Sequence, residues 1–253
     1  MKQAVVNGRW NLWLPDNIAD WDAITGDYSA RRGWEFERFE SFRKHLRWGD
    51  TFYDIGAEHG WISAIIAREF VGAENMVLFE PSPEFWVNIR RIWEYNGLAD
   101  PKGCWQGFVG RELAGERLGA SSRGVPWRAL WPECADASRP EVPGMAYRSL
   151  LDPASIPTIT VDDFAGNTLL WPSALNIDVE GAELLVLKGA VGELLEPDGS
   201  LRNVWVSIHP DLLERDFGST KQDVIDFMAS CGWTGEHLGT DHEEHHHFTR
   251  TRL

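Results

Sequence analysis

The feature that most constrains this chain is a short apolar run that ends at a glycine-containing turn and leads into a helical pattern. Residues 51–55 read Thr-Phe-Tyr-Asp-Ile, and Gly56 and Gly60 follow them. Apolar residues then recur at helical spacing over 61–67. A strand, a glycine turn and a helix in this order form a nucleotide-cofactor pocket, although the same order also occurs as plain structure. Because Asp54 replaces the first glycine of the dinucleotide motif, the pocket suits a cationic group better than a pyrophosphate.

Further strand patterns alternate with helical patterns along the rest of the chain. This alternation predicts an α/β fold with a parallel sheet, right-handed crossovers and helices on both faces. The last two strand patterns, 233–238 and 245–251, are predicted to pair as an antiparallel hairpin, which makes the sheet mixed. Between the first strand pattern and this hairpin, further strands are predicted over 76–79, 104–109, 158–161, 174–177 and 204–208.

Two segments stand outside this alternation, and we predict that both belong to a single domain, 1–253. Residues 1–47 form an N-terminal cap, with a hairpin that turns at Asn7-Gly8 and a helix over 34–46. Residues 111–157 have no clear period and are rich in Gly, Pro, Arg and Ser. A segment of that kind is an insertion that either closes over a substrate as a lid or is disordered.

The charge balance restricts the class of partner. The chain has 39 acidic and 24 basic residues, so its formal net charge is −15. Affinity for nucleic acid comes from phosphate neutralisation by Lys and Arg, so a nucleic-acid partner is disfavoured, and so is an anionic membrane surface. Three widely spaced cysteines fit a reducing compartment. Since no apolar stretch is long enough for a signal peptide or a membrane span, we expect a cytoplasmic protein.

Three blocks of sequence form one recognisable pattern. Residues 53–60 read Y-D-I-G-A-E-H-G, residues 79–83 read F-E-P-S-P, and residues 176–190 read N-I-D-V-E-G-A-E-L-L-V-L-K-G-A. The pattern resembles the FkbM family of class I S-adenosylmethionine (SAM) methyltransferases. This resemblance implies a Rossmann-like sheet of seven strands, with SAM across the carboxyl ends of the first three. The chain departs from the family pattern at Asn176, commonly Lys, and at Ser207, commonly an acidic residue.

The resemblance implies a set of cofactor-binding residues around the first two strands. Asp54 and the turn amides are expected to hold the methionine end of SAM, while Glu80 accepts hydrogen bonds from both ribose hydroxyls. Glu80 follows Asp54 by 26 residues, near the offset of about 20 at which an acidic residue contacts a ribose. Phe108 or Trp105 is expected to cover the adenine, unless both are core residues. The predicted cofactor set is Asp54, Gly56, Ala57, Glu58, Gly60, Glu80, Pro81, Phe108 and Asp178.

The predicted catalytic residues follow the fourth and fifth strands. Methyl transfer to oxygen needs a base for the hydroxyl proton, and His209 at the end of a strand is the natural candidate. Glu183 and Glu180 are the next candidates. The competing interpretations are a strand-end His hydrogen-bonded to backbone and acidic residues placed favourably at a helix N-terminus. Asp178, Glu180 and Glu183 also form a carboxylate trio of the kind that holds a divalent metal, but we predict no metal.

A run of histidines near the C-terminus lacks a matched carboxylate spacing. His242, His245, His246 and His247 fall on the predicted hairpin. We interpret them as exposed polar residues, with adventitious metal binding as the second interpretation.

The function that the resemblance implies is SAM-dependent methylation of a hydroxyl on a small polar molecule or a saccharide. Two other functions remain open. One is methylation of a nucleobase or nucleic acid, which the acidic charge disfavours. The other is a SAM-binding module that has lost catalysis and acts through contacts of its cap and insertion.

Overall fold

The computed structural model describes residues 1–16, 24, 35–110, 131–138, 156–240 and 243–250. The predicted insertion therefore lies outside the described residues, apart from 131–138 and 156–157. The described elements in chain order are β1 (Lys2–Val6), β2 (Trp10–Leu14), α1 (Phe36–His45), β3 (Phe52–Ile55), α2 (Trp61–Ile66), β4 (Met76–Phe79), α3 (Phe85–Tyr95), β5 (Gly103–Trp105), β6 (Phe108–Val109), β7 (Thr158–Ile159), α4 (Val161–Thr168), β8 (Ala174–Ile177), α5 (Glu183–Lys188), α6 (Val191–Leu195), β9 (Asn203–Ile208), α7 (Pro210–Phe217), α8 (Lys221–Ser230), β10 (Trp233–Thr240) and β11 (Glu244–Arg250).

Seven strands form the main sheet, in the order β10-β11-β9-β8-β3-β4-β5. The pairs among β9, β8, β3, β4 and β5 are parallel, whereas β11 is antiparallel to both β9 and β10. The sequence prediction of a mostly parallel sheet with a C-terminal antiparallel hairpin is therefore confirmed. The chain runs outward from β3 in one direction and from β8 in the other, which makes the β3–β8 boundary a topological switch point. Ligands of open α/β sheets bind at such points, beyond the carboxyl ends of the strands.

Two layers of apolar side chains cover the two faces of this sheet. Alternate residues of a strand point to opposite faces, so Phe52 joins one cluster and Tyr53 joins the other. The Phe52 cluster includes the apolar faces of the N-terminal hairpin and of α1, α2 and α3. The Tyr53 cluster includes those of α4, α5, α6, α7 and α8. Helices therefore cover both faces, as predicted, and the N-terminal hairpin shares a core with the sheet. None of the helices in the described part of the chain is both long and apolar enough to cross a bilayer.

The predicted third strand over 104–109 was wrong in its extent. The chain leaves the sheet edge after Trp105, and Phe108–Val109 pairs instead with Thr158–Ile159 in a separate two-stranded sheet. Gly107 lies at this departure, where an added Cβ would stand 2.4 Å from the Pro157 carbonyl oxygen. The backbones approach too closely there for any residue with a side chain. Apolar periodicity alone could not reveal this change of partner.

Candidate active site

The turn between β3 and α2 is packed directly against the segment that follows β8. The Gly56 amide donates a hydrogen bond to the Phe79 carbonyl oxygen at 2.9 Å, and the Ala57 amide donates to the same oxygen at 3.0 Å. Gly56 has φ +90°, and an added Cβ would stand 1.8 Å from the Asp178 carbonyl oxygen. Gly60 has φ +82° and stands against Ile89. Two of the predicted cofactor residues are therefore glycines because of both conformation and space.

Glu80 lies directly beyond β4 and is 5% exposed. Its Oε2 accepts from the Glu58 amide at 2.9 Å, and its Oε1 accepts from the Ser82 amide at 2.8 Å. Burial raises the pKa of Glu80 to about 7, although the two amide hydrogen bonds act in the opposite direction. Each carboxylate oxygen has a second lone pair. Glu80 is therefore held in place by backbone and retains acceptor capacity for two further donors.

The carboxylate of Asp54, at the end of β3, accepts hydrogen bonds from two neighbouring side chains. Its Oδ1 accepts from Asn176 Nδ2 at 2.7 Å, and its Oδ2 accepts from the Ser63 hydroxyl. The carboxylate is 2% exposed, and burial raises its pKa. Asp54 therefore ties the end of β3 to α2 and β8. Its role in holding the methionine end of SAM stays a prediction.

A buried arginine from the N-terminal helix reaches into the same network. Arg38 is 1% exposed and donates to Asn176 Oδ1 at 2.7 Å and to Asp178 Oδ2 at 3.1 Å. It also pairs with Glu35 at 2.8 Å. Burial alone would raise the pKa of Asp178, but the charges of Arg38 and His209 outweigh it and the pKa is lowered. The sequence analysis missed Arg38, because 138 residues separate it from Asn176 and nothing local marks the contact.

His209, directly after β9, is surrounded by carboxylates. Its Nδ1 lies 2.9 Å from Glu183 Oε1, and its Nε2 lies 2.8 Å from Glu243 Oε2. Glu180 Oε2 is 3.5 Å from Nε2, and Asp178 Oδ1 is 3.8 Å from it. The predicted catalytic residues are thus brought together, with Glu243 as a member that the sequence analysis did not identify.

The neighbouring carboxylates determine the charge of the His209 imidazole ring. Burial alone would lower the pKa of His209, but hydrogen bonds to Glu183 and Glu243 and the charge of Asp178 raise it to about 11. At neutral pH the ring is therefore an imidazolium whose two nitrogens both carry protons. An imidazolium does not accept a further proton. The role of His209 as general base stays a prediction, and the geometry favours a different role for it.

Glu180 is the exposed carboxylate of this group. Its side chain is 47% exposed, and its backbone has the left-handed φ of +56°. Gly181, the next residue, has φ +103°. An added Cβ there would lie 2.9 Å from Leu212. This turn presents the Glu180 carboxylate at the surface of the cluster while Glu183 remains fully buried.

The remaining predicted cofactor residues differ in their exposure to solvent. Glu58 has φ +47° and an exposed side chain, and Pro81 is half-buried. Phe108 is half-buried, whereas Trp105 belongs to β5 and is a core residue with 7% exposure. His59 was not predicted; it is buried beside Asn88, and burial lowers its pKa to about 4. It is therefore neutral at pH 7.

Three residues at the His209 cluster also have the atoms of a metal site. One ligand atom each from Asp178, His209 and Glu243 lies within 4.8 Å of the others. Both His209 nitrogens, however, already face carboxylates at hydrogen-bonding distance. A protonated ring has no lone pair for a metal, so in this arrangement the cluster fits a buried imidazolium better than a cation site. The predicted absence of a metal stays a prediction.

The interpretation of the C-terminal histidines as exposed was wrong for the three that the structure describes. His245, His246 and His247 are 4%, 7% and 2% exposed. They lie on β11, whose two edges are hydrogen-bonded to β9 and β10, so that it is an interior strand of the sheet. Their polarity suggested a surface position, but strand order is a property of the whole sheet. His242 lies outside the described residues.

The fold and the site define a class: an α/β protein with a glycine turn and an acidic residue at the switch point of its sheet. A model of the FkbM methyltransferase domain matches residues 54–234. The chain therefore belongs to the FkbM methyltransferase family. No curated protein sequence is similar enough to count as a match.

Solved structures that are similar to this chain have low sequence identity to it. The FkbM methyltransferase from Methylobacillus flagellatus is 15% identical, with a TM-score of 0.50 over 81% of this chain and 45% of that chain. The present chain thus spans less than half the length of that relative. A putative tRNA (m1A22) methyltransferase from Streptococcus pneumoniae, in complex with S-adenosyl-L-methionine, is 10% identical over 86% of this chain and 74% of that chain, with a TM-score of 0.44.

Proposed function

We propose that this chain is a SAM-dependent methyltransferase that methylates a hydroxyl on a small polar molecule or a saccharide. One observation carries the proposal. The β3–α2 turn, Glu80, Glu180 and His209 all follow the carboxyl ends of four adjacent strands, and we assign the first two to a cofactor half and the last two to a proton-transfer half. Family membership supports the same activity. SAM supplies a methyl group on a positively charged sulfur.

The cofactor half fits SAM by its donor set. Glu80 retains two acceptor positions after binding the amides of Glu58 and Ser82, which matches the two hydroxyls of a ribose. The turn at Gly56 leaves no room for a side chain next to Asp178, so the backbones of the turn and of the segment after β8 are in close contact. The carboxyl groups of Glu58 and Glu80 also lie at this edge. A sulfonium fits such an edge better than a pyrophosphate does.

The other half is arranged to take a proton from an acceptor. The Glu180 carboxylate is half-exposed at the rim and lies 3.5 Å from the imidazolium nitrogen of His209. We assign Glu180 as the group that accepts the hydroxyl proton on its carboxylate oxygen. His209 and Glu183 act as positioning residues, because the buried ion pair between them fixes the ring that Glu180 faces. This assignment replaces the general-base role that the sequence suggested for His209.

The charge of the rim bears on the class of acceptor. The rim combines two cationic side chains, His209 and Arg38, with four carboxylates, those of Asp178, Glu180, Glu183 and Glu243. The negative charges therefore outnumber the positive ones. Such a rim repels phosphate-rich polymers and suits a neutral polyol or saccharide, whose hydroxyls donate to carboxylates.

Turnover of methyl-labelled SAM against a panel of acceptors tests the proposal. The panel contains neutral saccharides, small polyols, an oligonucleotide and a buffer control. We expect label in a saccharide or polyol product, and its position is read by mass spectrometry. Label in the oligonucleotide alone would establish the nucleic-acid alternative, and SAM binding with no transfer to any acceptor class would support a binding module.

A further inference from the structure

The outer hairpin of the sheet carries a second group of metal-ligand side chains, separate from the His209 cluster. His237 on β10 and His246 on β11 are directly opposite each other in the antiparallel register. Glu244 is two residues before His246 on the same strand, so its side chain lies on the same face. That face continues with Phe248, which packs in the core layer that contains α8. Three side chains with ligand atoms are therefore gathered on one face by strand geometry.

The separations of these atoms are close to those of a zinc site. Nε2 of His246 is 3.6 Å from Glu244 Oε2, and Nε2 of His237 is 4.0 Å from the same oxygen. One ligand atom from each residue lies within 4.8 Å of the other two. Tetrahedral zinc with ligands at 2.0–2.2 Å places its ligand atoms about 3.3–3.6 Å apart. His237 is 50% exposed, so its ring has the freedom to close the remaining distance.

His246 supplies an independent sign that a ligand belongs here. The residue is 7% exposed, yet its Nε2 has no hydrogen-bond partner. Buried polar atoms normally have a hydrogen-bond partner, whereas His246 Nε2 faces Glu244 Oε2 at 3.6 Å.

We propose that His237, Glu244 and His246 bind one divalent transition-metal ion of the zinc type. Two imidazoles and one carboxylate are a zinc-type ligand set, whereas Mg²⁺ and Ca²⁺ prefer oxygen ligands throughout. Solvent supplies the fourth position on the exposed side of His237. The ion clamps β10 to β11. Glu243 and His245, which neighbour Glu244 along the chain, face the other side of β11 toward His209 and Ser207.

A lysine competes with the metal in this arrangement. Lys221 Nζ lies 2.9 Å from both oxygens of Glu244, and His237 Nε2 lies 3.0 Å from the Thr240 hydroxyl. The ion must displace or share both contacts. Removing the lysine charge should therefore strengthen metal binding. A metal held by scattered surface groups would show no such response.

The test is a titration of Zn²⁺ into the untagged, chelator-treated full chain against a chromophoric zinc indicator, without SAM. We expect one tight equivalent. Replacing a direct ligand, in His246→Gln or His237→Gln, should weaken it by at least the 10–100-fold that loss of an outer-shell partner costs. Lys221→Met should tighten it, and His45→Gln, a half-buried histidine outside the group, should leave it unchanged. Co²⁺ in place of Zn²⁺ should give the visible absorption of a tetrahedral site.

Two results would overturn the proposal. One is zinc affinity equal to that of the parent chain in both His237→Gln and His246→Gln. The other is binding that survives these changes and disappears in His209→Gln, which would move the ion to the His209 cluster. If His246→Gln does not fold, as judged by circular dichroism, the zinc affinity of His237→Gln alone tests the proposal, because His237 is half-exposed. None of these readouts depends on methyl transfer.

Discussion

Glu180 keeps a left-handed backbone conformation at the rim of the candidate active site, and it is not a glycine. Its φ of +56° costs a non-glycine residue about 1–2 kcal/mol. Backbone strain of this kind persists where the surrounding structure fixes it and is concentrated at functional sites. The adjacent Gly181 permits the turn, because only a residue without Cβ fits against Leu212. The strained position therefore serves to present the carboxylate.

Replacing this carboxylate should slow methyl transfer without affecting the cofactor. General-base catalysis typically contributes about 10²–10⁴ in rate, so we expect Glu180→Gln to lower kcat by that factor. SAM affinity, measured by calorimetry, should stay the same, because Glu80 and the β3–α2 turn are untouched. Glu214→Gln, another exposed glutamate, is the control and should turn over like the parent chain. Parent-level kcat in Glu180→Gln would remove Glu180 from the mechanism.

The charge of His209 makes a prediction about stability and pH. Its pKa is raised to about 11 in the folded chain, above the unfolded value of about 6.5. Because the folded state holds the proton more tightly, the stabilisation is fully present below about pH 6.5 and is lost as pH rises through about 11. Thermal melting between pH 7 and 11 should therefore fall more steeply in the parent chain than in His209→Gln. Parallel curves would show that the ring is neutral in the fold.

Some site residues can be predicted from sequence and others cannot. Glu80 was predictable because an apolar run, an acidic residue and a proline follow one another locally. Arg38 was not, since its partners are distant along the chain and a charged residue on a helix normally indicates an exposed face. The burial of His245–His247 depends on where β11 inserts in the sheet. The charge of His209 depends in part on Glu243, and Glu243 lies beside His209 because β11 pairs with β9.

At the scale of elements, the turn between β3 and α2 depends on the absence of a side chain at Gly56. Gly49 offers a matched comparison, because its φ of +91° is nearly the same as the +90° of Gly56, yet nothing lies within 4 Å of its added Cβ. Gly49→Ala should cost only the conformational term of about 1–2 kcal/mol.

Gly56→Ala adds a collision to that conformational cost. The new Cβ would stand 1.8 Å from the Asp178 carbonyl oxygen, so β3 and β8 must separate at the cleft. We expect a larger loss of unfolding free energy than in Gly49→Ala, measured by urea denaturation, together with loss of SAM binding. Equal losses in the two variants would show that the approach of the turn to Asp178 is not tight.

Helix α1 contributes the positive charge of Arg38 next to Asn176, the position at which the family pattern has Lys. The family commonly has Lys where this chain has Asn176, and Arg38 donates to Asn176 and Asp178 from the N-terminal segment. Removing one partner of a buried ion pair costs about 3–5 kcal/mol, so we expect Arg38→Met to lose about that much unfolding free energy. Glu35→Gln in the same chain should restore part of it. If the double variant is no more stable than the single one, Arg38 does not act through Glu35.

The extent of the elements was predictable where periodicity is local. The apolar runs predicted β3, β4, β8 and β9 to within a few residues. The break between β5 and β6 was not predictable, because it arises from the contact of Gly107 with Pro157. The role of the segment 111–157 as a lid stays a prediction, since most of it lies outside the described residues.

At the scale of the whole molecule, strand order determines which residues meet. Parallel strands end at the same edge, so Glu80 after β4, Asp178 after β8 and His209 after β9 lie at one rim although 129 residues separate the first from the last. The antiparallel β11 then brings Glu243 to the same rim from the opposite chain direction. The strand order of the sheet therefore determines which residues lie at this rim.

The account rests on SAM binding at this rim, and titration calorimetry of SAM into the full chain tests it most directly. The parent chain should bind, and Glu80→Gln should weaken binding by about 1.5–3 kcal/mol, or roughly tenfold to a hundredfold, through loss of charge-assisted hydrogen bonds to the ribose. Glu69→Gln, on the surface beyond α2, should bind like the parent chain. A folded parent chain that shows no heat of SAM binding, or a folded Glu80→Gln with unchanged affinity, would contradict the account.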